Sequence, residues 1–306
     1  MSAQSLQPKI RKPQALEVLL EPYLYVSPTL LLLGLTLFLP LLIGVYYSFT
    51  HFVVYEPQKT GFAGLENYLK AWNDPIFWLS LRNTLTWTFT SLFFQLTLGL
   101  GLALLLVTPF RGQRIYQALV FLPWAVPAFL SGLTWSWLFN PVIGPLPHWA
   151  QATGLLSNAD NILADPNIAL LGPIVANIWF GVPFFAITLL ATLAAIPKEM
   201  YEAAQMDGAS SWQQFRWITF AFIAPTIIIT ALLRTVWIAN FSDLIWVMTG
   251  GGPADSTQIT SSYIFSVAYN KLDYGYAAAI SVILLVMLVI YAAFMLRLRA
   301  RLEATS

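Results

Sequence analysis

The stretch YGYAAAISVILLVMLVIYAAFML, residues 274–296, is predominantly apolar and contains no charged residue. A helix of about 20 apolar residues crosses the roughly 30 Å of hydrocarbon in a bilayer, so this stretch is long enough to span a membrane. It belongs to a chain of 306 residues that is 58% hydrophobic and 9% charged, with a mean hydropathy of +0.68. Soluble domains carry about 25% charged residues. The sequence therefore predicts an integral membrane protein.

Five further stretches between charged residues have the same character. They predict transmembrane helices at about 22–50, 83–110, 115–139, 168–196 and 217–240, with 274–296 as the sixth. The third stretch ends near Phe139, because Asn140, Pro141 and Gly144 favour a loop. The fifth contains one charge, Arg234, which a membrane helix carries at a cost. The predicted fold class is an all-α integral membrane protein with six transmembrane helices.

Lysine and arginine residues beside the spans predict the orientation, because cytoplasmic loops of membrane proteins are enriched in them. One side of the membrane receives the larger set: Lys9, Arg11, Lys12, Arg111, Arg114, Lys198, Arg216, Arg297, Arg299 and Arg301. The other side receives Lys59, Lys70, Lys271 and the boundary residue Arg82. Both termini are therefore expected in the cytoplasm, as tails over 1–21 and 297–306, with an external loop over 51–78. The first span is too long for a signal peptide and is expected to remain as an anchor.

Net charge and residue content exclude several classes of function. The net charge of +1 leaves no basic surface for nucleic acid. The chain has no cysteine, and its two histidines, His51 and His148, lie far apart, which argues against a metalloenzyme. No P-loop occurs, and no predicted span contains the aspartate or glutamate that proton- or sodium-coupled carriers use. We therefore expect that the chain is not an enzyme and that any uphill transport takes its energy from a partner.

A polar segment between the fourth and fifth spans, residues 197–216 (PKEMYEAAQMDGASSWQQFR), predicts a short helix on the cytoplasmic side. Gly208 can adopt the left-handed conformation that ends a helix, and Ser211 with Gln214 matches a capping box that opens the next one. About ten residues give a helix of roughly 15 Å, which is too short to cross the bilayer and must lie along its surface. On the residues alone, a simple surface turn is as well supported.

The same segment carries a family pattern. Residues 202–204 (EAA) followed by 207–209 (DGA) resemble the EAA loop of the permease subunits of binding-protein-dependent ABC importers. Residues 62–68 (FAGLENY) and 249–253 (TGGGP) resemble segments of the carbohydrate-uptake permeases. The chain is thus similar to the maltose-type sugar permeases, in particular the larger-type permease of a two-permease pair. The resemblance implies the type I ABC importer transmembrane fold, with a core of five helices over 79–296.

The resemblance implies that the short helix docks onto a cytoplasmic ABC ATPase dimer. The residues that it assigns to this coupling contact are Glu202, Ala203, Ala204, Asp207 and Gly208. It also implies a second homologous permease subunit and an extracytoplasmic solute-binding protein, in a bacterial-type plasma (inner) membrane. ATP and Mg²⁺ are expected in the ATPase, with no cofactor in this chain. The sequence departs from the family pattern at 220–221, where Leu-Pro is usual, and at 144–147, where G-x-x-N is usual.

Residues in the fourth and fifth helices are the candidates for a substrate path. Asn177, Gly181 and Phe184 fall at i, i+4 and i+7, so an amide, a gap and a ring share one helix face. The resemblance assigns sugar contact to a larger set: Asn177, Phe180, Gly181, Phe184, Arg234, Trp237 and Ile238. Structural alternatives stay open, because Asn177 and Gly181 can serve helix packing. Arg234 can extend to the outer interface, and Trp237 can belong to the aromatic belt.

The expected cargo is a neutral carbohydrate, such as a disaccharide, an oligosaccharide or a glycosylated polyol. Aromatic rings suit the C–H faces of a sugar, and amides with one arginine suit its hydroxyl groups. The first alternative keeps the importer class with glycerol phosphate or a related polyol ester as cargo. The others are a channel or carrier that works without ATP and a membrane enzyme, which the coupling segment and the lack of a catalytic cluster disfavour.

Overall fold

The computed structural model describes residues 15–154 and 162–303, which are mostly helical. In chain order the helices are α1 Ala15–Leu33, α2 Leu39–Ser48, α3 Glu66–Asn73, α4 Pro75–Val107, α5 Gln113–Ala125, α6 Ala128–Leu138, α7 Pro145–Ala152, α8 Leu171–Ala194, α9 Lys198–Met206, α10 Ser211–Gln214, α11 Phe220–Asn240, α12 Asp243–Met248, α13 Thr260–Phe265 and α14 Tyr274–Glu303. Strands β1 Thr50–His51 and β2 Gly61–Phe62 form an antiparallel hairpin in which Thr50 pairs with Phe62. Residues 1–14 of the expected N-terminal tail and 304–306 of the C-terminal tail lie outside the described residues.

The described residues contain five helices that are long and apolar enough to cross a membrane. They are Pro22–Ser48, Pro75–Val107, Leu171–Ala194, Ser211–Met248 and Tyr274–Arg301. The pair α5 and α6 supplies a sixth span when it is counted as one. The predicted all-α class is confirmed, although several predicted helix bounds differ from the observed ones.

The first span is an interrupted helix. A π turn at Gly34–Phe38 joins α1 to α2, and α1 already begins at Ala15, inside the tail predicted over 1–21. Large side chains on this span are exposed, with Leu31 at 65% and Phe38 at 62%. Within the described chain, α2 packs against α14. Most of this helix is therefore left for lipid or another subunit to cover.

The second span begins at Pro75 instead of residue 83, so the loop predicted over 51–78 is shorter and contains β1, β2 and α3. The Asp74 side chain caps the helix by accepting a hydrogen bond from the Ile76 N–H at 2.8 Å, and Pro75 occupies the first turn. Arg82 is exposed on the helix surface. The helix begins eight residues before the predicted start, because the cap at Asp74, and not the charge at Arg82, determines its first turn.

The third span, predicted as one helix over 115–139, is two helices. α5 and α6 meet at an angle of 96°. Val126 has the extended backbone that is typical before proline (φ −82°, ψ 128°), and Pro127 has no N–H to continue the helix.

The segment that follows α8 contains the short helix expected from the sequence, here α9. Gly208 ends it with φ +75°, a value that glycine adopts without strain. The capping box of the next helix uses Ser210 and Gln213, one residue earlier than the predicted pair. Gln213 N–H donates to Ser210 Oγ at 3.3 Å, and Ser210 N–H donates to Gln213 Oε1 at 2.7 Å.

The fifth and sixth spans are longer than predicted. α10, a π turn at Phe215–Thr219 and α11 follow one another without a loop, so the fifth span begins at Ser211 and not at 217. α14 continues to Glu303, through most of the tail predicted over 297–306. The arginines of that tail lie at the C-terminal end of the helix, where the helix dipole favours positive charge.

Polar contacts join distant segments at the end of the bundle that carries β1 and β2, which we call the hairpin end. Asn67 Nδ2 donates to the carbonyls of Ser48 at 3.1 Å and Thr50 at 2.8 Å. Lys70 Nζ lies 2.6 Å from Asp273 Oδ2. These contacts join α3 to the end of the first span and to the start of α14.

A carboxylate clamp, made of Asp74, Tyr263 and Tyr276, lies at the same end. Both tyrosine hydroxyls donate to Asp74 Oδ2, at 2.5 Å from Tyr263 and 2.6 Å from Tyr276. Burial alone would raise the pKa of Asp74. The hydrogen bonds from the two tyrosine hydroxyls and from the N–H of Ile76 together outweigh burial, so the pKa lies below its ordinary value. The clamp therefore holds α4, α13 and α14 together around an ionised carboxylate.

α4, α8 and α11 form the centre of the bundle. A Cβ at Gly99 of α4 would lie 2.5 Å from Phe185 Cβ, so the glycine permits close approach of α8. Trp87 of α4 is fully buried, and its Nε1 donates to the Ile238 carbonyl of α11 at 2.8 Å. The site described below lies among these three helices.

Candidate functional site: a buried polar cluster and an exposed coupling helix

Each of the three central helices contributes one polar residue to a buried group. Gln95 of α4 and Asn177 of α8 are fully buried, and Arg234 of α11 is 3% exposed. We call these three residues the polar cluster. Amides and guanidinium groups are costly to bury without hydrogen bonds, so their partners decide what the cluster can do.

The Gln95 amide joins the other two members of the cluster. Its Nε2 donates to the Asn177 backbone carbonyl at 2.8 Å, and its Oε1 accepts from Arg234 Nε at 2.8 Å. Asn177 Nδ2, Asn177 Oδ1 and Arg234 Nη2 are buried and have no hydrogen-bond partner among the described residues. The cluster therefore has two donors and one acceptor left to bind something else.

Gly181 makes room for the cluster. A Cβ at this position would run into the Gln95 amide and Arg234 Nη2. Gly181 follows Asn177 by about one helical turn, so the two residues share one face of α8. A larger residue here would have to displace the ends of the Gln95 and Arg234 side chains from their present positions.

Three aromatic side chains lie beside the cluster and form what we call the aromatic wall: Trp124, Phe184 and Trp237. The Phe184 ring centroid lies 6.0 Å from that of Trp124 and 5.4 Å from that of Trp237. The Arg234 guanidinium carbon lies 6.0 Å from the Phe184 centroid, a cation–π distance. Trp124 is 43% and Trp237 49% exposed, so the wall joins the buried cluster to the surface of this subunit.

The structure brings together five of the seven residues predicted for a substrate path: Asn177, Gly181, Phe184, Arg234 and Trp237. Arg234 is inside the bundle, so the alternative that it extends to the outer interface is wrong.

The remaining two residues lie apart from the cluster. Phe180 stacks on Phe241, with ring centroids 5.3 Å apart. Ile238 is 1% exposed and packs in the hydrophobic core with Trp87 and Leu244. Its side chain therefore contributes to core packing.

Gln95 and Trp124 belong to the site and were missed by the sequence analysis. Ser91, Gln95 and Gly99 recur every four residues in α4 and are all buried. Small and polar residues at that spacing in an apolar span indicate an interior face, and this signal was available. Trp124 had no such signal, because its position depends on the bend between α5 and α6.

The helix for which the sequence predicts a coupling contact, α9, which we call the coupling helix, has no buried side chain. Glu202, Ala203, Asp207 and Gly208 are exposed, and Ala204 is half-buried. The Tyr201 hydroxyl lies 2.8 Å from Thr219 Oγ1, which ties α9 to the π turn before α11. The helix is thus attached to the fifth span while its outer face stays open.

The TGGGP loop at 249–253 is held by the segment that follows it, and that segment bonds to α4. Thr249 Oγ1 lies 2.7 Å from Thr257 Oγ1, and a Cβ at Gly251 would run into the Gln258 side chain. Asn83 Nδ2 donates to the carbonyl of Gln258 at 3.0 Å. These contacts support a structural role for the loop.

The chain matches a known protein family over most of its length. The profile of the family described as binding-protein-dependent transport system inner membrane component matches residues 95–304, which include the polar cluster and the coupling helix. The trehalose/maltose transport system permease protein MalF of Thermococcus litoralis is 36% identical over 265 residues, or 87% of this chain and 88% of that protein. The sulfoquinovosyl glycerol transport system permease protein SmoG of Agrobacterium fabrum is 33% identical over 90% of this chain and 89% of that protein.

Solved structures agree with the fold. A chain of a bacterial ABC transporter involved in the import of the acidic polysaccharide alginate superposes with a TM-score of 0.80, at 23% identity, over 94% of this chain and 99% of that chain. The sequence matches and the common fold lead to one conclusion: this chain belongs to the family of inner membrane components of binding-protein-dependent transport systems.

Proposed function

We propose that the chain is a permease subunit of an ATP-driven importer that moves a carbohydrate delivered by a solute-binding protein. The observation that carries this proposal is the polar cluster, with its unpartnered amide and guanidinium groups beside an aromatic wall. Sugars present apolar C–H faces together with many hydroxyl groups. Aromatic rings bind the former, and a few well-placed polar groups bind the latter.

The relatives support a sugar as cargo. Their names specify trehalose or maltose and sulfoquinovosyl glycerol. The sequence favours a neutral sugar, which the amides and the aromatic wall can serve. The buried charge of Arg234 favours a second candidate, a sugar with an acidic group.

The coupling helix supports an external source of energy. The chain has no P-loop, and α9 presents Glu202 and Ala203 on a face that the described chain leaves uncovered. We infer that a dimeric ABC ATPase covers this face, that ATP and Mg²⁺ bind there, and that this chain holds no cofactor. Closure of the ATPase pair would then switch the bundle between inward-open and outward-open states.

The remaining partners follow from the family and from the surface. Membership in a binding-protein-dependent family implies a solute-binding protein, and the exposed first span offers a surface for a second permease subunit. We place the protein in a bacterial-type plasma membrane with both termini in the cytoplasm, because most lysines and arginines flank the spans on the side of α9.

The test is purification of a tagged subunit from its native membrane, followed by identification of the attached proteins and uptake assays in proteoliposomes. We expect an ATPase in twofold ratio, a second permease, and ATP-dependent uptake of a sugar such as trehalose or maltose, or of an acidic derivative. Sugar uptake that needs no ATP would favour the carrier alternative. Uptake of glycerol phosphate without any sugar would assign the complex to the alternative cargo class.

A further inference from the structure

Arg234 carries a positive charge into the bundle without a carboxylate to neutralise it. Among the described residues Lys59 pairs with Glu56 and Lys70 with Asp273, whereas no carboxylate lies within ion-pair distance of Arg234. The hydrogen-bond partner of Arg234, the Gln95 amide oxygen, and the nearby Phe184 ring are both neutral. An arginine side chain stays protonated in proteins. The centre of the proposed substrate path therefore has a net positive charge.

The three helices that form the cluster supply no acid to pair with Arg234. α4, α8 and α11 contain no aspartate or glutamate. The next acid along the chain, Asp243, is exposed at the start of α12. A charge removed from water is costly unless it is paired. A ligand that brings one negative charge would therefore gain more from this site than a neutral ligand of the same shape.

The free hydrogen-bonding groups also suit an oxyanion. Gln95 occupies Arg234 Nε and so holds the guanidinium in place, while Nη2 has no acceptor. Asn177 Nδ2 also lacks an acceptor, and Gln95 joins the two residues. Carboxylate, sulfonate and phosphate oxygens accept such N–H groups in short, charge-assisted hydrogen bonds. Asn177 Oδ1, the one free acceptor, remains for a sugar hydroxyl.

We propose that the cargo is a saccharide with one acidic group, a carboxylate, a sulfonate or a phosphate ester, and that Arg234 binds this group. The aromatic wall contacts the sugar ring while Arg234 and Asn177 receive the anion. This inference rests on the proposed function and narrows its substrate class.

The experiment measures uptake in cells that lack the chromosomal gene and carry the wild-type subunit or a variant with the rest of the native system. The probes are radiolabelled pairs that differ in one group: glucose and glucuronate, trehalose and trehalose 6-phosphate, and glucosyl glycerol and its 6-sulfo derivative. The variants are Arg234→Gln and Arg234→Lys. Arg82→Gln is the matched control, because Arg82 is exposed on α4. Copurification of the other subunits reports assembly.

The wild type should take up at least one acidic member about tenfold better than its neutral counterpart, the size expected for hydrogen bonds to a charged group. Arg234→Gln should remove most of that preference, Arg234→Lys should keep part of it, and Arg82→Gln should match the wild type within about twofold.

Uptake of neutral members alone would overturn the acidic cargo and leave sugar import intact, and uptake of no member would count against both. An assembled Arg234→Gln complex that keeps the acidic preference would also overturn the proposal, because the charge would then be recognised elsewhere. The wild-type preference needs no variant, so the substrate class is decided even where Arg234→Gln does not assemble.

Discussion

The coupling helix and the polar cluster differ most in how their polar groups are satisfied. No side chain of α9 is buried, so water can solvate Glu202 and Asp207. In the polar cluster Gln95 and Asn177 are fully buried, Arg234 is 3% exposed, and three of their atoms have no partner. Water can therefore satisfy the polar groups of α9, whereas three buried atoms of the cluster have no partner within the described chain.

This difference separates two kinds of functional residue. Substitution on an exposed helix changes little in the isolated fold, so a loss of transport there reports on the missing partner. Substitution in the cluster changes both packing and recognition, because the same atoms serve both. We therefore expect substitutions on α9 to affect transport alone and substitutions in the polar cluster to affect both transport and packing.

Glu202→Lys should leave the subunit inserted and folded but reduce uptake about 100-fold. Charge reversal at the centre of a docking surface removes an interface hot spot, which is typically worth about 3 kcal/mol. The measurement is ATP-dependent uptake together with the amount of ATPase that copurifies. Glu199→Lys is the control, because Glu199 is exposed on the first turn of the same helix. Wild-type uptake by Glu202→Lys would remove the coupling role from this residue.

Gly181→Ala should weaken apparent substrate affinity about tenfold and lower thermal stability in detergent. The added Cβ runs into Gln95 and Arg234, and overpacking of this kind costs about 1–3 kcal/mol. Gly101→Ala is the control, because Gly101 lies in α4 with nothing within 4 Å of an added Cβ. Equal behaviour of the two variants would contradict the packing of Arg234 against α8.

Asn177→Ala should raise the substrate concentration for half-maximal uptake about threefold to tenfold, the range expected for one lost hydrogen bond. The complex should assemble normally, because the Asn177 side chain has no partner in the described chain. Asn240→Ala provides the comparison, since Asn240 is exposed and its Nδ2 bonds only to its own helix, at the Val236 carbonyl. If Asn177→Ala loses assembly and keeps affinity, the residue serves packing.

Asp74→Ala should have the smallest effect on transport and a clear effect on stability. It removes the acceptor of the clamp and the cap of α4, so we expect a loss of about 2 kcal/mol in the free energy of unfolding, with unchanged affinity in the folded fraction. Thermal unfolding in detergent measures the first quantity and uptake kinetics the second. Asn73→Ala is the control, because Asn73 is exposed and bonds within its own helix.

The same clamp predicts the direction of the pH effect. The pKa of Asp74 is lowered on folding, so the unfolded state binds more protons and the contribution to stability is present above the unfolded pKa of about 3.9. That contribution should be lost as the pH falls through the lower folded pKa. In Asp74→Ala the acid-dependent part of the unfolding curve below about pH 4 should therefore be smaller.

The sequence predicts the spans well because lipid imposes one dominant requirement, a long apolar run. It places their ends less well, because caps and breaks act locally. Asp74-Pro75 starts α4 ahead of the charge at Arg82, after which the sequence predicts the span to begin, and Val126-Pro127 is a break inside an apolar run. The capping box is displaced by one residue because Ser210 and Ser211 are both suitable caps, and the backbone angles decide between them.

The site is predictable to the extent that it lies on one helix. Helical periodicity places Asn177, Gly181 and Phe184 together without any knowledge of the neighbours. The Gln95 amide bonds to Arg234 of α11 and to the Asn177 carbonyl of α8, so the cluster depends on how three helices pack, including the close approach of α4 to α8 at Gly99. Helical periodicity does not predict which residues of different helices contact each other, so it does not predict the burial of Arg234.

Because of the π turn at Phe215–Thr219, the number of residues in the fifth span affects how the segments on either side of the turn are rotated relative to each other. At its end the Phe220 N–H bonds to the Phe215 carbonyl, five residues back, so the turn holds one residue more than an α-helix. Each residue of an α-helix rotates the chain by about 100°. Deleting one residue here would restore α-helical winding and rotate the two flanking segments relative to each other. Since the Gln95–Arg234 contact anchors α11 in the bundle, the coupling helix would turn, and Glu202 would face a different direction.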